Sequence, residues 1–229
     1  MDRLDKVISN KGFGSRKEVK KLIKNGFVLV NGEIVYEDSF KVLDDDLISV
    51  DGIEFVNVEF VYIMLNKPSG VISATKDDLH QTVLDIIDDK TKGLFPIGRL
   101  DIDTEGFCLI SNDGNLAHRI LSPKKHIPKT YIVKSESLLS IDDIKKFEEG
   151  ITIDKDEKCL PAIINLKEDY YELTIFEGKY HQIKRMFIAC DNKVTYLKRV
   201  KMGSLTLDEN LKTGMYKYLD LNDISLLTK

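Results

Sequence analysis

The apolar positions of the first 26 residues predict two short helices. The apolar residues of the first helix, at helical spacing, are Leu4, Val7 and Ile8. Gly12 is placed to end this helix. Ser15 and Glu18 form a capping-box pattern that begins the second helix, and Gly26 closes it. Lysines cover much of the remaining surface of the second helix, so the pattern predicts a helix pair with one basic face.

The next residues predict a small sheet. Two β-rich runs, FVLV and EIVY, flank Asn31-Gly32, a pair typical of a tight hairpin. The acidic run over residues 44–46 is expected in a turn before a further strand, LISV. Residues 52–60 are expected to connect this region to a second domain. We therefore predict a first domain over residues 1–56 and a second over residues 57–229.

The second region mixes strands and helices without strict βαβ alternation. The predicted strands are YIMLN, GFCLISNDG, TYIVKSE and YYELTIF. Helices are predicted through LAHRIL, after an Asp113-Gly114 turn, and after Ser140, which is placed as an N-cap. The apolar residues of this last helix, which ends at Gly150, are Ile141, Ile144 and Phe147. The pattern favours an α+β or mixed-sheet fold.

The run YHQIKRMFIAC predicts a further helix with one polar edge of interest. Its apolar stripe is Ile183, Met186, Phe187 and Cys190. Lys184 lies at the edge of that stripe, whereas Arg185 points more directly away from it. A lysine in this position can reach into a cleft beside the core or extend to solvent, and the pattern leaves both open.

Composition indicates an ordinary globular chain. Of 229 residues, 42% are hydrophobic and 31% are charged. No run approaches the roughly 18 to 20 apolar residues of a membrane-spanning helix, and MDRLDKVISN lacks a signal-peptide core. We therefore expect a cytoplasmic protein without membrane contact. The three cysteines stand far apart, without a CxxC pair, and are expected to be buried reduced thiols.

The local distribution of charge suggests a polyanionic partner although the net charge is −4. Residues 1–26 carry eight Lys and Arg against three acidic residues, residues 118–134 five against none, and residues 178–201 seven against one. Each run alone could be a solvated surface. Taken together, the three runs fit RNA or DNA binding as well as they fit three solvated surfaces.

The chain has no glycine-rich phosphate loop, serine elbow or HExxH helix. The remaining candidate for chemistry is GRLDIDTEG, residues 98–106, which packs turn-forming and charged residues between two apolar runs. Loops between core strands often carry functional side chains. A surface turn with helix-capping acids fits the same pattern.

The segment RLDKVISNKGFGSRKEVKKLIKNGFVLVNG resembles the S4 RNA-binding domain, with its turn between the helices and its VNG hairpin as the most specific parts. The resemblance implies docking on RNA backbone, which positions a protein but carries little sequence information. The RNA contacts that it implies are Arg3, Ser15, Arg16, Lys17, Lys20 and Lys24. A solvated helix face is the alternative.

Four motifs in order, LNKPSG, GRLDIDTEG, KTY and EGKYHQIKRMF, resemble the ribosomal RsuA-type pseudouridine synthases over essentially the whole chain. The resemblance implies a mixed, largely antiparallel sheet with flanking helices behind the S4 domain. It also implies isomerisation of one uridine, uridine 516 of 16S ribosomal RNA, to pseudouridine. The flanking residues, LFPIGRLDIDTEG and LSPKKHIPKTY, are closer to the small-subunit enzymes than to the large-subunit relatives.

The resemblance also implies residue roles. Asp101 matches the catalytic aspartate, which could act as nucleophile or base. Lys184 would keep Asp101 ionised and oriented, and Tyr131 would stack on the extruded uracil. Arg99 would contact RNA backbone or fill the gap left by the base. The remaining implied positions are Ile183 against the base, and Lys67 and Pro68 at the cleft floor, with Lys67 among the residues that bind substrate or RNA. His181, a lone histidine, is expected to be structural.

No metal or organic cofactor is implied, because the reaction is an isomerisation without redox change. The implied partner is 16S ribosomal RNA or a partly assembled small subunit, bound by a monomer. Three alternatives remain open: a large-subunit (23S) synthase of the same family, a non-catalytic RNA-binding assembly factor, and a DNA-binding regulator. The last lacks a visible recognition-helix pattern.

Overall fold

The computed structural model describes residues 2–43, 45–57, 60–89, 91 and 93–228. The chain divides into two compact units, Met1–Phe60 and Val61–Lys229. The boundary that we predicted from sequence lies after residue 56, within the first unit.

The first unit packs two helices and a small sheet around one apolar core. The core joins residues of both helices to residues of the strands, among them Leu4, Ile23 and Ile48. Its sheet has the order β3-β2-β5-β6, and β1 pairs separately with β4. The elements are β1 (Asp2–Arg3), α1 (Leu4–Asn10), α2 (Arg16–Lys24), β2 (Val28–Val30), β3 (Glu33–Ile34), β4 (Lys41–Val42), β5 (Leu47–Val50) and β6 (Ile53–Val56).

The local signals of this unit form as predicted. The Ser15 backbone N–H donates to Glu18 Oε2 over 2.8 Å at the start of α2. Asn31 and Gly32, both at positive φ, join β2 to β3. Asp44 of the predicted acidic turn lies outside the described residues.

Residues 53–56 are a correction to the predicted connection. They form β6, which pairs with β5 from Val50↔Ile53 onward. The cause is Asp51-Gly52, in which both residues have positive φ. Such a pair makes a two-residue hairpin turn and sends the chain back along the preceding strand.

The second unit contains a nine-stranded mixed sheet in its described residues, with the path β13-β14-β10-β15-β9-β7-β17. Strand pairs are antiparallel except β15 with β9, which confirms the largely antiparallel sheet. Its elements are β7 (Tyr62–Lys67), β8 (Phe95–Ile97), β9 (Glu105–Ser111), α3 (Gly114–Leu121), a 3₁₀ turn (Pro123–Lys125), β10 (Lys129–Ser135), α4 (Ile141–Glu149), β11 (Thr152–Ile153), β12 (Glu157–Lys158), β13 (Ile163–Leu166), β14 (Tyr171–Ile175), α5 (Gln182–Ile188), β15 (Val194–Met202), β16 (Leu205–Thr206), β17 (Tyr216–Tyr218) and α6 (Leu221–Leu226).

Helices cover both faces of this sheet. Alternate residues of β9 belong to different cores, so that Phe107 packs with α3 and α6 while Cys108 packs with α4 and α5. Ile141, one of the apolar residues of the predicted helix, is 75% exposed and lies outside the core. It is the first residue of α4, directly after the Ser140 N-cap, where the chain enters the helix from the surface.

The cysteines are free thiols, with Cys108 and Cys159 buried and Cys190 partly buried. Within the described part of the chain, no helix is long and apolar enough to span a membrane.

Candidate active site

A split in the sheet positions the candidate loop. Strand β9 pairs with β7 along one edge, and its other edge is shared by two strands. Strand β8 pairs with residues Leu109–Ser111 of that edge, and β15 pairs with Glu105 and Gly106. The loop of residues 98–104 leaves β8 and enters β9 at this split, so Asp101 stands where the sheet opens.

Hydrogen bonds fix this loop on both sides of Asp101. Ser73 Oγ lies 3.1 Å from the Leu100 carbonyl oxygen and 3.0 Å from the Leu100 N–H, so it can donate to one and accept from the other. On the other side, the Ile102 carbonyl oxygen accepts from the Gly70 N–H at 2.8 Å. The Asp101 backbone is therefore held before the side chain meets any substrate.

Lys67 supports the loop from inside the protein. Its side chain is fully buried, and Nζ donates to the carbonyl oxygens of Pro68, Val71 and Ile102. Burial lowers the pKa of Lys67 to about 8. Lys67 was expected to contact substrate or RNA, but its ammonium group faces backbone carbonyl oxygens instead. It stabilises the turn after β7 and the loop of residues 98–104.

Asp101 lies within a small charged network. Lys184 Nζ is 3.0 Å from Asp101 Oδ2 and 2.6 Å from Asp103 Oδ1. His181 Nε2 lies 3.5 Å from Asp101 Oδ1. The side chains of Asp101 and Lys184 are 24% and 23% exposed, so this pair is open to a ligand but partly shielded from solvent.

The network favours the charged forms of Lys184 and Asp103. Burial alone would lower the pKa of Lys184, but hydrogen bonds to Asp103 and Asp101 outweigh it and raise the pKa. Burial would likewise raise the pKa of Asp103, and the hydrogen bond from Lys184 lowers it. Lys184 therefore remains an ammonium ion beside Asp101 at neutral pH.

Asp101 borders a cleft of about 610 Å³ that brings several predicted residues together. Tyr131 and Ile183 line it and are nearly buried, whereas Arg99 lines it and is exposed. Tyr131 lies in β10 between Leu173 of β14 and Arg199 of β15. The cleft thus offers a carboxylate, an aromatic ring and an apolar side chain to one ligand.

Sequence reasoning missed four residues near Asp101. Ser73 and Asp103 carried no separate signal, although Asp103 lies inside the quoted motif. His181 was predicted to be structural; it begins α5 in the left-handed backbone region and its ring reaches Asp101. Arg199 was counted only as part of a basic run, yet it lines the cleft from β15.

Arg185, expected to point away from the apolar stripe, forms ion pairs on another part of the fold. Its guanidinium pairs with Asp154 and Glu157. These carboxylates lie at the turn end of the β11–β12 hairpin, so Arg185 ties α5 to that hairpin.

In the first unit, a buried carboxylate holds several of the predicted RNA contacts. The fully buried Asp5 side chain pairs with Arg3 at 3.1 Å, Arg16 at 2.9 Å and Lys20 at 3.8 Å. Burial would raise the pKa of Asp5, but the hydrogen bonds from Arg3 and Arg16 outweigh it and lower the pKa to about 2. The paired side chains are 38–54% exposed, so their outer faces remain open to solvent.

The remaining predicted contacts differ in their availability. The Ser15 hydroxyl donates to Glu18 Oε2 at 2.7 Å and is committed to the helix start. Lys17 and Lys24 are exposed and have no carboxylate partner among the described residues. The described residues of the whole chain contain no group of three or more His, Cys, Asp or Glu placed to hold a metal ion.

Comparison with known families agrees with this architecture. Residues 61–189 match the RNA pseudouridylate synthase family, and residues 2–48 match the S4 domain. The chain therefore belongs to the RNA pseudouridylate synthase family and, with its leading S4 domain, to the RsuA/RluB type within it. Members of this family convert uridine to pseudouridine, and this chain is a pseudouridine synthase.

Individual relatives extend over nearly the whole chain. An uncharacterised RNA pseudouridine synthase of Bacillus subtilis, YtzG, is 46% identical and covers 99% of this chain and 98% of its own length. Ribosomal small subunit pseudouridine synthase A of Vibrio parahaemolyticus is 41% identical and covers 97% of each. Ribosomal large subunit pseudouridine synthase B of Bacillus subtilis is 38% identical over 99% of this chain and 96% of its own.

A solved structure described as a pseudouridylate synthase also matches the fold. It is 38% identical, has a TM-score of 0.70, and is aligned over 99% of this chain and 100% of its own. The match therefore extends over both units of the chain.

Proposed function

We propose that this enzyme isomerises a single uridine of 16S ribosomal RNA, uridine 516, with Asp101 as the catalytic residue. The observation that carries the proposal is the Asp101–Lys184 pair at 3.0 Å, at the edge of a cleft that also contains Tyr131. The substrate in this proposal is 16S RNA or a partly assembled small subunit in the cytoplasm, and the enzyme acts as a monomer.

The reaction needs groups that these side chains can supply. The C1′–N1 bond of uridine breaks, the uracil turns, and C5 bonds to C1′. C5 then loses its proton, and N1 gains one. A carboxylate held beside an ammonium ion can act as nucleophile or base. Tyr131 supplies a flat face on which an extruded base can stack.

Two observations support the small-subunit target. The Vibrio parahaemolyticus small-subunit synthase is 41% identical over nearly all of both chains. The sequence around GRLDIDTEG and KTY resembles the small-subunit enzymes. The 38% identity to a large-subunit synthase favours a second candidate, a 23S RNA target.

Mapping pseudouridine in cells that lack the gene separates these candidates. We expect one pseudouridine to disappear from 16S RNA and to return with wild type but not with Asp101→Ala. Loss of a 23S site instead would establish the second candidate. If Asp101→Ala restored every defect of the deletion strain, an RNA-binding assembly factor would replace the enzymatic proposal.

We further propose that the basic face of α2 docks the S4 unit on RNA phosphates. Lys17 and Lys24 are the exposed cations that support this proposal, and Arg3, Arg16 and Lys20 add the outer faces of their Asp5-bound side chains. Ser15 would contribute to RNA binding indirectly, by capping the start of α2.

Salt dependence tests this docking surface. Each lost phosphate contact lowers the slope of log affinity against log salt by about 0.7–0.9. We expect Lys17→Gln with Lys24→Gln to weaken RNA binding and reduce the slope by about 1–2. Lys145→Gln on α4 removes another exposed lysine charge and should change neither quantity. An unchanged slope in the double variant would remove α2 from the RNA interface.

A further inference from the structure

Arg199 is a buried cation that the reaction described above does not use. The residue is 2% exposed and lines the cleft beside Tyr131, its cross-strand neighbour. Its Nε donates to the Phe107 carbonyl oxygen at 2.7 Å. That carbonyl lies in the part of β9 between its pairing with β15 and its pairing with β8, so Arg199 closes the gap in the split sheet.

One end of the Arg199 guanidinium has no partner in the described part of the chain. Nη2 is buried and finds no hydrogen-bond acceptor among the described residues. A buried donor left unsatisfied destabilises the folded protein, and more so when it is charged. Structural support for β9 accounts for Nε but does not account for Nη2, which suggests that a ligand supplies the missing acceptor.

Lys129 places a second cation in the same cleft. Its Nζ donates to the Ile127 carbonyl oxygen at 2.9 Å, and it has no carboxylate partner in the described part of the chain. Burial, and then the nearby charge of Arg199, lower the pKa of Lys129 to about 8. Two like charges that destabilise each other are stabilised together by one anion between them.

The described lining of the cleft offers no free carboxylate that could pair with Arg199 and Lys129. Asp101 is the sole carboxylate among the described residues that line it, and it already pairs with Lys184 at 3.0 Å. A neutral uracil carbonyl could accept from Nη2, but it would leave both positive charges uncompensated. A phosphate group supplies several acceptor oxygens and the negative charge, and guanidinium groups bind it in a forked geometry.

We propose that Arg199 and Lys129 form an anion subsite of the cleft that binds a backbone phosphate next to the extruded uridine. This subsite rests on the proposed function for the identity of the RNA, but phosphate binding itself requires no turnover. The subsite would hold the strand by its phosphate while Tyr131 holds the base.

Titrations with uridine 5′-monophosphate and with uridine, followed by NMR, test the subsite. Wild type should bind the nucleotide at least about 10-fold more tightly than the nucleoside, as charge-assisted hydrogen bonds to phosphate require. Inorganic phosphate should compete with the nucleotide. Lys129→Gln and Arg199→Gln should each reduce the preference to about 3-fold or less.

Lys201→Gln is the matched control, because it removes the same charge from β15 at a residue that does not line the cleft. It should keep the wild-type preference. If Arg199→Gln does not fold, Lys129→Gln decides the test. A wild-type preference near 1, or an unchanged preference in the folded variants, overturns the proposal. Equal weakening of nucleoside and nucleotide also overturns it and assigns Arg199 to the base.

Tritium release from C5-labelled RNA by the same preparation separates the two proposals. Release without a phosphate preference contradicts the subsite alone. A phosphate preference that depends on Lys129 or Arg199, without release from RNA or from assembling subunits, supports the subsite and contradicts the proposed function.

Discussion

At the scale of single residues, Lys184 is shared between two carboxylates that differ in exposure. Asp101 is 24% exposed and faces the cleft, whereas the side chain of Asp103 is 62% exposed. The shorter contact, 2.6 Å, is to the more exposed partner. Solvent weakens that contact, so the interaction with Asp101 should dominate the proposed contribution of Lys184 to catalysis.

Substitutions at these two positions should therefore have unequal effects. We expect Lys184→Met to lower the single-turnover rate at least about 100-fold, equivalent to about 2.7 kcal/mol. Asp103→Asn should lower it less than about 5-fold, the range of an exposed ion pair. Lys184→Arg, which keeps the charge, should recover part of the loss. Equal losses for Lys184→Met and Asp103→Asn would contradict this order.

Lys67 is a second residue whose environment predicts a measurable effect, here on the pH dependence of stability. Its pKa is about 8 in the folded protein, below the ordinary value of 10.5. Between these values the unfolded chain binds more protons, so wild-type stability gains as pH rises through this window. This gain in the free energy of unfolding is absent below about pH 7 and complete above about pH 10.5.

We therefore expect the stability difference between wild type and Lys67→Met to widen with pH. Urea unfolding at pH 7.5 and 9.5 should show the wild type gaining about 2 kcal/mol over the variant. At pH 7.5 the variant should already be less stable, because three buried carbonyl oxygens lose their donor. A difference independent of pH would mean that Lys67 stays protonated throughout.

At the scale of elements, the close approach of β9 and β15 depends on one glycine. Gly106 pairs with Arg199 between β9 and β15 and has a φ of +95°. A Cβ at this position would collide with the backbone carbonyl oxygen of Arg199. Both the close approach and the backbone conformation therefore require glycine.

Gly106→Ala should destabilise the protein by about 3 kcal/mol or more, since overpacking and left-handed strain add. Gly114→Ala at the start of α3 is the control, because that position has open space and no positive φ. Its stability should be unchanged or higher by up to about 1 kcal/mol. Thermal unfolding of both variants measures this difference. Similar losses of stability in the two would show that the close approach of β9 and β15 does not exclude a side chain at position 106.

The elements also show where sequence patterns are informative. Capping boxes and the Asn31-Gly32 hairpin act within a few residues, and they form as predicted. Strand pairing between distant segments does not leave such a local pattern. The parallel contact of β15 with β9 joins residues about ninety positions apart, and no local periodicity specifies it. Arg199 and Ser73 reach the site only through such long-range pairing, so they could not be found from sequence.

At the scale of the whole molecule, motif order identified the family when periodicity could not. GRLDIDTEG alone was also compatible with a surface turn, and its proposed role followed from the motifs around it. The fold then places Asp101, Lys184 and Tyr131 at one cleft, although they come from a loop, a helix and a strand. Lys67 belongs to the same motifs but supports the loop from inside, which only its burial reveals.

Tritium release from uridine C5 tests the central claim most directly, because the C5 proton leaves only if the uracil is rejoined through C5. The substrates are 16S RNA and partly assembled small subunits labelled at C5. We predict release by wild type and none above background by folded Asp101→Asn. Release by Asp101→Asn at the wild-type rate, or no release by wild type from either substrate, would contradict the account.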